Sequence, residues 1–301
     1  FIFMRLYHLT FYLILMIFFA ACAPKPESYE FDLQGHRGAR GLMPENTIPG
    51  FLKAVDYGVD TIEFDIVVTN DRQLLISHDP WFNHNISTKP DGTPVLEKEE
   101  HYHNIFGMTY EETTEYDVGI RGNPDFPGQE PLAVQKPLMR DAIKAIEVYI
   151  EEQELKPVKY NIETKSRPEW YGKFVPEPEE FARLLYEELS GLGLLDRVII
   201  QSFDPNTLIA MRELAPEVTQ AILVSRRGPL SELLNTLGYT PEIWSPHHQL
   251  ISVSTIIDAR DRDMKIIPWT INSITRMRQL LELGVDGIIT DYPNRGATLK
   301  R

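Results

Sequence analysis

Cysteine is almost absent from this sequence, since Cys22 is the only one among its 301 residues. One cysteine can form no internal disulfide, and a zinc site built from several cysteines is excluded by the same count. Basic residues are also scarce: 30 lysines and arginines stand against 44 aspartates and glutamates, which leaves a formal net charge of −14. A broad basic surface for nucleic acid is therefore not expected.

Two phosphate-binding motifs are missing as well. No Gly-x-Gly-x-x-Gly follows a predicted strand, and the chain contains no Walker-type loop. A nucleotide-binding sheet usually carries one of these motifs, because their backbone N–H groups hold the phosphates. The sequence thus lacks the usual signal of such a sheet.

The apolar segment near the N-terminus, Leu9 to Ala21, is shorter than the roughly 20 residues that a membrane-spanning helix needs. A positively charged residue precedes it, as in a signal peptide. Phe19-Ala20-Ala21-Cys22 then resembles the lipobox of bacterial lipoproteins. We predict a signal peptide over residues 1–21, a lipid anchor on Cys22 as the sole membrane attachment, and a tether over 22–30. The protein would be exported to the periplasm or cell surface; plain secretion and an uncleaved anchor are the alternatives.

Strand and helix patterns alternate along residues 31–301. Short runs of β-branched and apolar residues predict about eight strands, and apolar residues at helical spacing separate them. This alternation indicates a parallel sheet with helices outside, and eight units favour a closed (β/α)₈ TIM barrel over an open sheet. The stretch Pro44-Glu45-Asn46-Thr47 predicts a helix start with Asn46 as N-cap.

Residues 80–136, approximately, interrupt the alternation. They contain prolines, glycines and aromatic residues but few long apolar runs. A segment of this length is too long for an ordinary connection between two elements. We predict a small subdomain or lid inserted after the second strand unit, ordered in part by Phe82, Tyr102, Phe106 and Tyr116.

Acidic side chains occur at alternate positions of one predicted strand. Glu63 and Asp65 share a face, because residues two apart on a strand point to the same side. Glu163 and Lys165 repeat the arrangement on a later strand. Three carboxylates facing the barrel mouth would be costly without a partner, and an all-oxygen set favours Mg²⁺ or Ca²⁺. The alternative is a set of salt bridges with Lys165 and Arg37.

Two histidines follow predicted strands near these acids. His36 and His78 can titrate near neutral pH, so one could accept a proton while the other donates one. Arg37 and Lys165 could hold phosphate oxygens, and Trp269 could line the substrate pocket. The alternatives are structural histidines, ion pairs within the site and a buried core tryptophan.

Together these stretches resemble the glycerophosphodiester phosphodiesterase family. The resemblance runs from about residue 33 to 295 and rests on an ordered set of motifs: His36-Arg37-Gly38, Pro44-Glu45-Asn46-Thr47, Glu63-Phe64-Asp65, His78-Asp79, Ile162-Glu163-Thr164-Lys165, Gln201-Ser202-Phe203, Trp269-Thr270-Ile271-Asn272 and the run from Gly284 to Pro293. It implies a barrel with a divalent metal at Glu63, Asp65 and Glu163 and a catalytic pair at His36 and His78. The implied reaction is hydrolysis of glycerophosphodiesters to sn-glycerol 3-phosphate and an alcohol.

The residues suit this chemistry. A phosphodiester carries one negative charge, and more develops on the leaving oxygen during displacement. A metal together with Arg37 and Lys165 would offset that charge. One histidine would activate water or the substrate's own 2-hydroxyl, and the other would protonate the departing alkoxide. The sequence does not assign the two roles.

Two other functions stay open at this point. A phospholipase-type phosphodiesterase on a related barrel would fit a lipid anchor and should show an exposed apolar rim. A non-catalytic surface lipoprotein that binds phosphodiesters would fit the same anchor. The complete set of histidines, acids and lysine argues against lost catalysis.

Overall fold

The computed structural model describes residues 28–301. The predicted signal peptide, Cys22 and most of the predicted tether lie outside these residues. At the start of the described chain, the backbone N–H of Tyr29 donates to the carbonyl oxygen of Leu299 at 2.8 Å, which joins it to the C-terminal end. Among residues 28–301, no helix combines the length and the apolar character that a membrane crossing requires.

Strands and helices alternate along the described chain. The strands are β1 Asp32–Gly35, β2 Thr61–Val68, β3 Leu74–Ile76, β4 Lys159–Thr164, β5 Val198–Ser202, β6 Thr219–Val224, β7 Ile243–Pro246, β8 Lys265–Ile266 and β9 Gly287–Thr290. The α-helices are α1 Ile48–Asp56, α2 Tyr110–Thr113, α3 Met139–Glu152, α4 Pro178–Leu192, α5 Pro205–Leu214, α6 Leu230–Leu237, α7 Val253–Arg260, α8 Ile274–Glu282 and α9 Pro293–Ala297.

All the strands except β3 run parallel around a barrel, in the order β1, β2, β4, β5, β6, β7, β8 and β9. Strand β1 pairs with both β2 and β9. The backbone N–H of Ile289 in β9 donates to the carbonyl oxygen of Pro268, just after β8, at 3.0 Å and closes the ring. Strand β3 lies antiparallel to β2. The predicted (β/α)₈ TIM barrel is therefore confirmed.

Alternation along the strands separates an outer core from the barrel interior. On β2, Ile62, Phe64 and Ile66 are fully buried in the main core of the protein, which includes apolar residues of the surrounding helices. On β5, Ile199 belongs to a separate apolar layer inside the barrel, and Gln201 follows it on the same face. The interior thus changes from apolar to polar towards the carboxyl ends of the strands.

The inserted segment has a small core of its own. The rings of Phe82 and Tyr116 stack with centroids 3.9 Å apart, and both rings join a cluster with Val67 of β2 and Leu75 of β3. Tyr102, by contrast, is 84% exposed, so the prediction that it orders the segment is wrong. Its ring finds no core because it lies in a short 3₁₀ turn without a buried residue.

Helix α1 begins one residue later than predicted. Thr47, and not Asn46, is its N-cap, with Oγ1 accepting from the backbone N–H of Gly50 at 3.3 Å. Asn46 has a φ of +56°, and its side chain donates to Oδ2 of Asp65 at 2.8 Å. The predicted cap was wrong because this asparagine binds an acid on β2 rather than the start of the helix.

Candidate active site

Side chains from the carboxyl ends of several strands meet in one cleft of about 330 Å³. The predicted site residues that line it are His36, Arg37, Glu63, His78, Glu163, Lys165 and Trp269. Asp65, the remaining one, is buried beside them and 1% exposed. A larger cavity of about 770 Å³ lies between α6 and α7 and contains none of these residues. Chemistry rather than size therefore identifies the smaller cleft as the candidate active site.

Three buried acids form a triad at the cleft. Glu63, Asp65 and Glu163 bring carboxylate oxygens within 4.8 Å of one another, because β2 and β4 pair with Asp65 level with Glu163. Burial and the two neighbouring acids raise the pKa of Glu63 well above its usual value. Burial also raises the pKa of Glu163 to about 7. A divalent cation bound by these oxygens would relieve the repulsion, so the residues fit such an ion.

Two cations already lie against the triad. Nζ of Lys165 is 2.7 Å from Oε1 of Glu163 and 3.6 Å from Oδ1 of Asp65. Nε of Arg37 is 3.4 Å from Oδ2 of Asp65. Although burial opposes it, Lys165 and Arg37 hold the pKa of Asp65 below its usual range. Salt bridges with two cations therefore offset the negative charge of the triad in part.

The turn after β1 fixes Arg37 at this position. Its backbone N–H donates to Oε2 of Glu63 at 2.8 Å, and its Nη1 donates to Oε1 of Glu45 at 2.8 Å. Gly38 follows with a φ of +84°, and a Cβ there would lie 2.7 Å from the backbone of Gly50. Only glycine fits such a close approach in a left-handed conformation. The guanidinium is thus held at the cleft by contacts within the protein.

Two side-chain amides also donate hydrogen bonds to acids of the triad. Nε2 of Gln201 donates to Oε1 of Glu63 at 2.8 Å, and Asn46 donates to Asp65 as described above. Sequence reasoning named Gln201 within a motif and assigned Asn46 to a helix cap, so it connected neither amide with the acids. An amide gives no local sign of its partner, since the partners lie 138 and 19 residues away in the chain.

His36 is paired with a carboxylate from the last strand end. Its Nδ1 lies 2.6 Å from Oδ1 of Asp291, and the Oδ2 of Asp291 accepts from Nδ2 of Asn272 at 2.6 Å. Burial raises the pKa of Asp291, but His36 and the hydrogen bonds outweigh it and hold the pKa below its usual value. An ionised carboxylate can only accept, so Nδ1 carries the proton and Nε2 is left for the cleft. Sequence reasoning missed Asp291 as a site residue.

His78 has its carboxylate next to it in the chain. Its Nδ1 lies 3.1 Å from Oδ1 of Asp79. Burial, followed by the cations Arg37 and Lys165, lowers the pKa of His78 to about 4. Burial also lowers the pKa of His36. Both imidazoles are therefore neutral near pH 7, each with one ring nitrogen engaged by a carboxylate.

Aromatic side chains form one wall of the cleft. Trp269 donates from Nε1 to the carbonyl oxygen of Ser245 at 2.9 Å, and its ring stands edge-on to Phe203 at 5.5 Å. Both rings line the cleft. The structure thus places Trp269 at the cleft, and it adds Phe203, which the sequence had placed only within a motif.

Two further arginines line the cleft that sequence reasoning did not single out. Nε of Arg40 is 2.5 Å from Oε2 of Glu45, and the guanidinium of Arg167 lies 4.6 Å from the ring centre of Trp170. Together with Arg37 they place three guanidinium groups at the cleft, of which Arg37 and Arg40 both pair with Glu45.

Sequence comparisons with known proteins point to one family of phosphodiesterases. The sequence model of the glycerophosphoryl diester phosphodiesterase family matches residues 36–295. A glycerophosphodiester phosphodiesterase of Bacillus altitudinis is 28% identical over 270 residues, covering 88% of this chain and 96% of that protein.

Solved structures share the fold. A Silicibacter pomeroyi protein assigned by inference to the glycerophosphoryl diester phosphodiesterases has a TM-score of 0.78 at 26% identity, covering 89% of this chain and 92% of that one. A phosphodiesterase of Oleispira antarctica, solved in complex with the product sn-glycerol-3-phosphate, has a TM-score of 0.69 at 22% identity. That comparison covers 89% of this chain and 96% of the other.

Proposed function

Because the chain belongs to the glycerophosphoryl diester phosphodiesterase family, we propose that it hydrolyses glycerophosphodiesters to sn-glycerol 3-phosphate and an alcohol. The observation that carries this proposal is the composition of the cleft, where a carboxylate triad, several cations and two histidines surround one space. The name of the Bacillus altitudinis relative and the product bound in the Oleispira antarctica structure support the same reaction.

A divalent cation would be held by Glu63, Asp65 and Glu163. The set offers oxygen ligands alone, which suits Ca²⁺ or Mg²⁺ rather than zinc. When bound, such an ion supplies positive charge that stabilises the charge developing on the phosphoryl oxygens.

Arg37 and Lys165 would hold the phosphate beside that site. Each faces the cleft, and each is already oriented by the acids of the triad. A guanidinium has five N–H donors and an ammonium has three, so both keep donors for phosphate oxygens after these contacts. Trp269 and Phe203 would pack against the carbon atoms of the substrate.

His36 and His78 would divide the proton transfers. Each has Nδ1 on a carboxylate and Nε2 free to act, and a carboxylate in that place stabilises the imidazolium that forms when the ring takes up a proton. One histidine would remove a proton from water or from the substrate's 2-hydroxyl. The other would protonate the departing alkoxide.

Release of glycerol 3-phosphate from glycerophosphocholine tests the activity. The purified protein should release it with Ca²⁺ or Mg²⁺ present, and a folded His36→Ala/His78→Ala variant should not. Lysophosphatidylcholine is the control substrate, because faster cleavage of that lipid would favour the phospholipase alternative. Absence of glycerol 3-phosphate from a folded, metal-supplied protein would contradict the proposal.

Cys22 would anchor the enzyme to a membrane after export. The proposal rests on the apolar segment followed by Ala20-Ala21-Cys22. Cys22→Ser should leave the barrel folded but move the protein from the membrane fraction to the soluble fraction. Unchanged membrane retention would count against lipidation and favour an uncleaved anchor.

A further inference from the structure

A buried lysine, Lys136, contacts the residue that precedes His78. Lys136 is 5% exposed, and its Nζ donates to Oγ of Ser77 at 2.8 Å. Its chain segment is held there by the neighbouring strand, since the backbone N–H of Ile76 donates to the carbonyl oxygen of Pro137 at 2.9 Å. Among the described residues, the hydrogen-bond partner of Nζ is this hydroxyl, and the carboxylates of Asp79 and Glu45 act on it only as neighbouring charges. A lysine buried in this way is costly and calls for a reason.

The contacts of Ser77 connect this lysine to His78. The hydroxyl of Ser77 accepts from Lys136, so its own proton is free to point at the carbonyl oxygen of Asp79, to which it donates at 2.6 Å. The carboxylate of Asp79 in turn lies 3.1 Å from Nδ1 of His78 and accepts from Nδ2 of Asn83 at 2.9 Å. One hydroxyl, that of Ser77, thus holds the turn that carries the histidine, and Lys136 determines how this hydroxyl is oriented.

The charges around Lys136 also connect it to the turn that carries His78. Burial lowers the pKa of Lys136 to about 8, and among the neighbouring charges Asp79 does most to favour the protonated form, followed by Glu45. The side chain also lies with Nζ 5.6 Å from the ring centre of Phe82, in the core of the inserted segment. The ammonium therefore contacts both the core of the inserted segment, at Phe82, and the turn that carries His78, at Ser77.

We propose that Lys136 is a positioning residue for His78: it fixes the Ser77 hydroxyl, which holds the backbone carbonyl of Asp79 and thereby the residue whose carboxylate orients the imidazole. The proposal rests on the catalytic role proposed above for His78. It also gives the inserted segment a function, because that segment ends at Lys136 and there contacts the turn of a catalytic residue.

Lys136→Met tests the proposal, since methionine fills similar space without the ammonium. Loss of one charge-assisted hydrogen bond should lower kcat on glycerophosphocholine about 10- to 100-fold. KM should change less than twofold, because Lys136 does not line the cleft. The melting temperature should hold or rise, since an unpaired buried charge is removed. Lys53→Met is the matched control: Nζ of Lys53 also lies 5.6 Å from an aromatic ring, that of Tyr57, but away from the cleft.

Two more variants make the link to His78 decisive. Ser77→Ala should lose a similar factor in kcat, and it tests the same contact if Lys136→Met does not fold. In a His78→Ala background, Lys136→Met should cost nothing further. An unchanged kcat in folded Lys136→Met, or an equal loss in the His78→Ala background, would overturn the positioning role. Wild-type turnover of His78→Ala itself would instead refute the proposed function of that histidine.

Discussion

Replacing Asp291 by asparagine should slow the enzyme without unfolding it. Asp291 accepts from two donors on separate oxygens, Nδ1 of His36 and Nδ2 of Asn272. Asparagine offers one oxygen and one NH₂, so it must turn the NH₂ towards one of these donors. Asn272 cannot turn to compensate, because its Oδ1 already accepts from the backbone N–H of Asp291 and from Oγ1 of Thr290.

The magnitude follows from the contact that is lost. A hydrogen bond between an ionised group and its partner contributes about 1.5–3 kcal/mol, which corresponds to about 10- to 150-fold in rate. We expect kcat of Asp291→Asn on glycerophosphocholine to fall within this range. Asp286→Asn is the matched control, because Asp286 stands at the other end of β9 and pairs with Arg260 at 2.9 Å, away from the cleft.

The pH profile of the same variant assigns the role of His36. The carboxylate of Asp291 favours the protonated imidazole, so its removal should lower the pKa of His36 still further. If His36 is the base, it must be neutral, and the acidic limb of the rate profile moves to lower pH. If His36 is the acid, it must be protonated, and the alkaline limb moves to lower pH. Turnover equal to that of Asp286→Asn, with neither limb displaced, would refute the reasoning.

Three further predictions concern the metal, the two histidines and stability. Chelation should abolish turnover and added Ca²⁺ or Mg²⁺ should restore it, whereas full activity of Glu63→Ala in chelator would contradict the metal site. His36→Ala and His78→Ala should each lose about 10²–10⁴-fold in turnover, and the double variant should lose far less than the product. A nitrophenyl ester, whose leaving group needs no proton, should rescue only the variant that lacks the acid. Folding lowers the pKa of His78 from 6.5 to about 4. Between pH 6.5 and about 4, the unfolded chain therefore binds a proton at His78 that the folded chain does not bind. The free energy of unfolding should therefore decrease on acidification through that window, and less so in His78→Asn, as urea titrations would measure.

The parts that were predictable from sequence depend on local periodicity. Glu63 and Asp65 could be placed on one face of β2 without knowledge of the tertiary fold, because side chains on a strand alternate with a period of two. Repetition of strand and helix then brought Glu163 to the same mouth through the geometry of the barrel. The resemblance to the phosphodiesterase family, drawn from motifs in this order, is confirmed by the match over residues 36–295.

The parts that were missed depend on partners far away in the chain. Asp291 and His36 are 255 residues apart, and nothing near either residue indicates the other. Asn46 is a residue type that is typical of a helix N-cap. In the fold its side chain binds Asp65 of β2 instead, and its backbone adopts a left-handed conformation. Lys136 looks like any polar residue before a helix, and only the fold shows it buried beside Ser77.

The charge state of the triad links metal binding to the stability of the cleft. Lys165 and Arg37 stand against three acids, and burial together with the neighbouring carboxylates raises the pKa of both Glu63 and Glu163, which opposes full ionisation of the triad. Carboxylates bind a metal in their ionised form, so binding of a divalent cation at the triad would require the loss of any proton that Glu63 or Glu163 retains. The repulsion among the three acids would therefore contribute to the affinity for a divalent ion, and a triad relieved by an extra internal cation should be more stable but bind metal less well.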